Sequence, residues 1–306
     1  MYLLLGDLQD PWCLRVRDAL EARDCPTLVI GSPLEQPWRF QWRLNNEESA
    51  SWLGLGDEPP ISNDSILGVL VRTAGWIDPT AWEPEDLSYM QAEVQAAFLA
   101  WLWSLDCPVV NRVPSAIWYR PQVPLLAWQR LFRHSGLPMV ETIVTNVESE
   151  ARSFRQQLAD EGLPGAVFGP LSGQARYLVT REEEWGGPAS LQRVTPVCLA
   201  VPHGEPQLVC VIGDQVVWEG EPPLEAVVLE PALRRFADAA GLSAVELALA
   251  PTATGMCVIA VEPSPRFEHF GDIAREQIVE EIVGLLTARA GTSSGKVLAM
   301  SERRLS

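Results

Sequence analysis

Hydrophobic positions change their period several times along the chain, and each change predicts an element. Tyr2–Leu5 is an unbroken apolar run and reads as a buried strand; Asp10-Pro11 opens a helix with proline near its first position; Thr27–Ile30 is a second strand. A strand–helix–strand start implies a parallel sheet with a right-handed crossover. Trp38, Phe40 and Trp42 then alternate with Arg39, Gln41 and Arg43, the period of two that marks a half-buried strand. The stretch from there to Ile66 reads as a loop. Leu67–Val71, apolar and ending at Arg72, predicts another strand of the same sheet. From Glu85 to Leu105 the period becomes helical, with Tyr89, Val94, Ala97, Phe98, Trp101 and Leu102 on one stripe and Asp86 or Ser88 as the cap.

The second half continues the alternation of helices and strands. Gln122–Ser135 predicts a helix closed by Gly136, Glu141–Val144 a strand, and Ser149–Ala159 a helix ending at Gly162. Ala166–Phe168 and Arg176–Thr180 read as strands around the loop Gly169-Pro170-Leu171-Ser172-Gly173. Val194–Val201, Gln207–Ile212 and Gln215–Glu219 follow as strands, the last two joined by the tight turn Gly213-Asp214. Glu230–Ala240 is a helix closed by Gly241, Val245–Ala250 and Met256–Val261 are strands, and Asp272–Ala290 is the last helix before a loose tail.

Composition narrows the function classes. With 47% hydrophobic and 21% charged residues, the 306-residue chain can build a sizeable core and does not read as disordered. A net charge of −17 repels phosphate backbones and anionic lipid, which argues against nucleic-acid and membrane-surface binding and better suits a basic protein or peptide partner. No apolar run reaches the roughly 18 residues that a spanning helix needs, and the N-terminus lacks the basic start of a signal peptide. The six cysteines have no CxxC spacing and read as thiols of a reduced, cytoplasmic protein. Only three histidines are present, none near a cysteine pair, so a zinc site is not supported. No GxGxxG loop follows the first strand, which argues against a dinucleotide site.

The order of elements, together with five segments, resembles the ATP-grasp superfamily and within it the ligases that modify ribosomally made peptides. The segments are Leu105–Arg112 at the end of the long helix, Ser135–Pro138 running into Glu141–Asn146, the loop Gly169–Gly173, the hairpin Val209–Val217, and Val261–Pro265. The resemblance implies an α/β (α+β) fold in which an N-terminal parallel-sheet domain (residues 1–112) precedes a central α+β subdomain (113–192) and a C-terminal one (193–290). The two subdomains would enclose a cleft, and residues 291–306 would form a flexible tail.

It also implies site residues. ATP brings about four negative charges, which lysines, an arginine and magnesium on carboxylates neutralise during phosphoryl transfer. The matching positions are Gly169, Ser172, Gly173, Arg176 and Arg266 for the nucleotide, and Glu246, Glu262 and Ser264 for magnesium. The chain departs from the pattern in its cations: it has 22 arginines but one lysine, Lys296 near the C-terminus. Gly169 stands where relatives carry a lysine before Pro-Leu-Ser-Gly. The segment Arg120–Leu125 holds none where a second is usual, Gln207 and Leu208 lie where an arginine is usual, and Ser264 replaces an asparagine. Arg120, Arg176 and Arg266 are candidate substitutes, although an arginine fork does not reproduce a lysine's point charge. Single catalytic donors are worth roughly 3–4 kcal/mol, so their combined loss should cost several.

Two functional expectations follow. In the first the chain has lost ligase activity and binds a peptide or protein, as a homo-oligomer or beside an active ATP-grasp paralogue. In the alternative it is an active carboxylate–amine ligase working through an acyl-phosphate, and only then are ATP and Mg2+ its cofactors. Three further features have two readings each. Glu246 and Glu262 are metal ligands or solvated strand-end acids; His269 beside Glu268 is an acid–base pair or a surface pair; Cys13 at a helix start is an activated thiol or a buried one.

Overall fold

A computed structural model of the protein describes residues 1–31, 38–44, 49–55, 59–72, 82–112, 125–169, 171, 177–185, 195–253 and 255–288. The first sheet is parallel and contains β1 (Tyr2–Leu5), β2 (Thr27–Ile30), β6 (Gly68–Val71) and β7 (Val109–Val110) in the order β2-β1-β6-β7. The apolar run of β1 is explained by cover on both faces: Tyr2 and Leu4 join one core, Leu3 and Leu5 another. Helix α1 (Pro11–Glu21) starts at the predicted proline, and Asp10 caps it by accepting from the backbone N–H of Trp12 at 2.8 Å and of Cys13 at 3.1 Å.

The other face of this sheet meets α2 (Pro84–Trp103) through Phe98, Leu99, Trp101 and Leu102. It also meets a separate antiparallel sheet of β3 (Trp38–Leu44), β4 (Ser49–Leu55) and β5 (Ile61–Ser62). The predicted alternation of β3 is present, with Trp38, Phe40 and Trp42 turned towards the core and Arg39, Gln41 and Arg43 exposed. Four details differ from expectation. The loop before Ile66 contains β4 and β5; β3 belongs to a sheet of its own while β6 pairs with β1; and Tyr89, placed on the apolar stripe of α2, is exposed. Glu83 is the α2 N-cap and gives no side-chain cap, so neither Asp86 nor Ser88 has that role.

Two more antiparallel sheets follow. The central one, β10-β9-β11-β8, is made of β8 (Thr142–Thr145), β9 (Ala166–Gly169), β10 (Tyr177–Val179) and β11 (Val197–Ala200). Helix α3 (Gln129–Ser135), closed by Gly136 at φ 79°, precedes it. Helix α4 (Glu148–Asp160) covers the sheet through Ala151, Phe154 and Leu158. The C-terminal sheet, β13-β12-β14-β15, is made of β12 (Gln207–Ile212), β13 (Gln215–Trp218), β14 (Ala244–Thr252) and β15 (Gly255–Glu262). One of its faces packs Val209, Val211, Val245, Leu247, Leu249, Val258 and Val261 against α5 (Ala226–Ala240) and α3. On the other face Cys210, Ile212 and Ala244 join a core shared with α1 and with α6 (Asp272–Thr287). The last helix thus ties the first sheet to the last.

Candidate functional site

The β14–β15 register sets Glu246 directly opposite Glu262. Like charges in that relation repel, and Glu246 is only 5% exposed, so water does not screen it. The compensation comes from the chain just beyond β15, which turns through Pro263-Ser264-Pro265 into a short 3-10 turn, Phe267–His269, lying over the acids. The Arg266 backbone N–H donates to Glu246 Oε2 at 2.8 Å and its Nη2 to Glu262 Oε2 at 3.0 Å. His269 Nδ1 donates to Glu246 Oε1 at 2.8 Å, since a carboxylate oxygen only accepts. The Ser264 N–H reaches Glu262 Oε1 at 3.4 Å. The acids are therefore not simply solvated. His269 pairs with Glu246, 23 residues away, rather than with its neighbour Glu268.

Two residues from the parallel sheet grip this turn. Arg72 follows β6, and its Nη1 donates to Ser264 Oγ at 2.7 Å and to the Pro265 carbonyl at 2.8 Å. Ser264 Oγ donates back to the Arg72 carbonyl at 3.0 Å. Arg72 Nε lies 3.4 Å from Asp10 Oδ2, and its guanidinium is 5.9 Å from the Trp12 ring centroid. Asn111 follows β7 in the left-handed region at φ 59°, which asparagine tolerates. Its Nδ2 donates to the Pro263 carbonyl at 3.3 Å and its Oδ1 accepts from the Ala244 N–H at 2.8 Å. The C-terminal ends of parallel strands are where open α/β sheets bind ligands; here they hold the protein's own turn. The sequence reading did not single out Arg72 as a site residue. Its signal was a cation placed directly after a buried parallel strand.

A separate, narrow pocket with a cavity volume of about 30 Å³ lies between the central sheet and β15, lined by residues that include Leu125, Val140, Gly169, Cys198, His203 and Ile259. Ile259 is the extra residue of a bulge at Ala248/Leu249, since Ala248 pairs with Ala260 and Leu249 with Val258. Of the predicted nucleotide residues, Gly169 lines this pocket, and Arg266 lies over the acids instead. Ser172, Gly173 and Arg176 fall outside the described residues, as do Arg120 and Lys296. The described lining carries no arginine, lysine or carboxylate, and Thr142 and His203 stand among its apolar residues.

The thiols near the site are inert. Cys13 is fully buried, and burial, with Asp10 adding to it, pushes its pKa up to about 12. Burial likewise raises that of Cys210, which pairs across the sheet with Glu246. Cys13 is thus the buried thiol of the two readings.

No protein-family model matches the chain. No curated protein matches it either. Solved structures do. The macrocyclase MdnC from Microcystis aeruginosa MRC, bound to its precursor peptide MdnA, superposes with a TM-score of 0.72 over 94% of this chain and 99% of its own, at 15% identity. The fold is that of the ATP-grasp ligases. A Chryseobacterium gregarium RiPP-associated ATP-grasp ligase, solved with ADP and a leader and core peptide, gives a TM-score of 0.68 at 13% identity, covering 93% of this chain and 96% of that one. The ATP-grasp ligase PsnB, complexed with minimal precursor, Mg and ADP, gives 0.69 at 18% identity, covering 93% and 98%.

Measured against an ATP-grasp cleft, the residues expected to hold magnesium are brought together but are not arranged for it. Magnesium asks for near-octahedral oxygen ligands. Here both oxygens of Glu246 and both of Glu262 accept hydrogen bonds, and the Ser264 hydroxyl is engaged in both directions by Arg72. Among the described residues no group of three or more His, Cys, Asp or Glu is placed to hold a metal ion. The arrangement as it stands does not fit the ion. Nor is any described helix long and apolar enough to cross a membrane.

Proposed function

We propose that this protein uses the ATP-grasp fold as a scaffold for binding a peptide or protein partner and has lost ATP-dependent ligase activity. One observation carries the reading: Arg266 and His269 already hold the acids that would otherwise take magnesium. An arginine paired with Glu262 is not available to a triphosphate, and the single lysine of the chain lies at position 296. Support for a peptide partner comes from the solved neighbours MdnC and the C. gregarium ligase, both bound to peptides. Titration calorimetry with ATP and Mg2+ at millimolar concentration tests the proposal. The expected result is no saturable heat and no ADP release when precursor-like peptides are added; saturable binding rejects it.

Glu246 and Glu262, set directly opposite each other, support a second reading, an active carboxylate–amine ligase. Arg266 would then have to leave Glu262 to meet the phosphates. ADP release abolished by Glu262→Gln is the result this reading requires.

A further inference from the structure

Resting on the proposed loss of ligase activity, we infer that the Arg266 guanidinium, a resident counterion, and the His269 imidazole, a resident hydrogen-bond donor, take the place of a divalent cation between Glu246 and Glu262. The need for positive charge is built into the sheet. Two carboxylates face each other across β14 and β15, one of them almost fully buried beside the apolar Cys210. A buried carboxylate without donors or a counter-charge is strongly disfavoured. The chain meets this need from within itself, four and seven residues after the second acid, by a turn that brings a guanidinium to Glu262 and an imidazole N–H to Glu246.

The turn differs from an ordinary surface ion pair because it is fastened at both sides. Arg72 holds Ser264 and the Pro265 carbonyl, Asn111 holds the Pro263 carbonyl, and the Arg266 N–H itself binds Glu246. Four successive residues, 263–266, are therefore held before the Arg266 side chain begins, so its backbone is already placed within reach of Glu262. Arg72, the nearest other guanidinium in the network, is engaged with Ser264, Pro265 and Asp10 and does not replace it. Removing the two side-chain donors would leave facing carboxylates of the kind that hard divalent cations prefer.

Manganese alone, without nucleotide, is the probe, with binding followed by electron paramagnetic resonance and by thermal unfolding. The wild-type protein is expected to bind no Mn2+ that is lost on Glu262→Gln. The Arg266→Gln/His269→Gln variant should bind one Mn2+ at least about tenfold more tightly than wild type, because the two facing carboxylates have then lost the guanidinium and the imidazole donor. It should also gain melting temperature with Mn2+, and adding Glu262→Gln should remove both effects. If the double variant does not fold, Arg266→Gln alone, altered at a side chain that is 38% exposed, carries the same comparison. Equal Mn2+ affinity in wild type and variant, or no gain in any variant, overturns the inference. Because nucleotide is absent, that failure is distinct from ATP binding by the wild-type protein, which would overturn the proposed function instead.

Discussion

On one face of the β14–β15 ladder, Val245, Leu247, Leu249, Val258 and Val261 interlock with α5. On the other, in the same two strands, Glu246 and Glu262 lie side by side between the core shared with α6 and the pocket at Ile259. The first face is stabilised by removal of apolar area from water, which is non-directional and tolerant of small shifts. The second depends on donors placed within a few tenths of an ångström, and those donors come from a turn held by residues 192 and 152 positions away in sequence. Burial without direction sets the frame, while the directional face fixes where the two acids and their donors lie.

Four substitutions break or sharpen this contrast, in decreasing order of expected effect. Leu247→Ala removes a fully buried side chain from the apolar face and should lower unfolding free energy by about 2–5 kcal/mol in urea titration; a loss below about 1 kcal/mol would mean the core closes over the gap. His269→Ala leaves Glu246 with the Arg266 N–H but no side-chain donor and should cost about 1–3 kcal/mol. No change would show that Glu246 does not depend on the histidine. Arg72→Ala deprives Ser264 and Pro265 of their donor and should cost about 1–2 kcal/mol. Its sharper readout is hydrogen exchange, expected to quicken in residues 262–269 and to stay unchanged in β12. Arg266→Ala should cost under about 1 kcal/mol, because the Arg266–Glu262 pair is partly exposed and the backbone N–H to Glu246 remains. A larger loss than that of His269→Ala would reverse the roles assigned to the two donors.

The sequence reading succeeds where structure is local and fails where it is not. The alternation of Trp38–Arg43 and the Gly213-Asp214 turn are signals carried by neighbouring residues, and the structure reproduces both. Strand β4 is illegible because Ser49-Ala50-Ser51-Trp52-Leu53-Gly54-Leu55 is rich in small residues of weak strand preference, and β3 recruits it by pairing. Gly54 permits that pairing, since a Cβ there would come within 2.9 Å of the Arg39 side chain. Helix α5 begins at Ala226 rather than Glu230, which puts Pro231 inside the helix, where it cannot give the Val227 carbonyl its usual helical donor. At the site, the resemblance named Glu246, Glu262 and Ser264. That His269 would turn away from Glu268, and that Arg72 would hold Ser264, depends on a turn folding across two sheets, which no local spacing reveals.

The most direct measurement is a crystal of the wild-type protein soaked with ATP and Mn2+, with the anomalous signal read between β14 and β15. The account predicts no manganese peak beside Glu246 and Glu262, with Arg266 Nη2 remaining on Glu262 Oε2 and His269 Nδ1 on Glu246 Oε1. A peak bridging the two carboxylates, with Arg266 swung onto nucleotide phosphates, would contradict it.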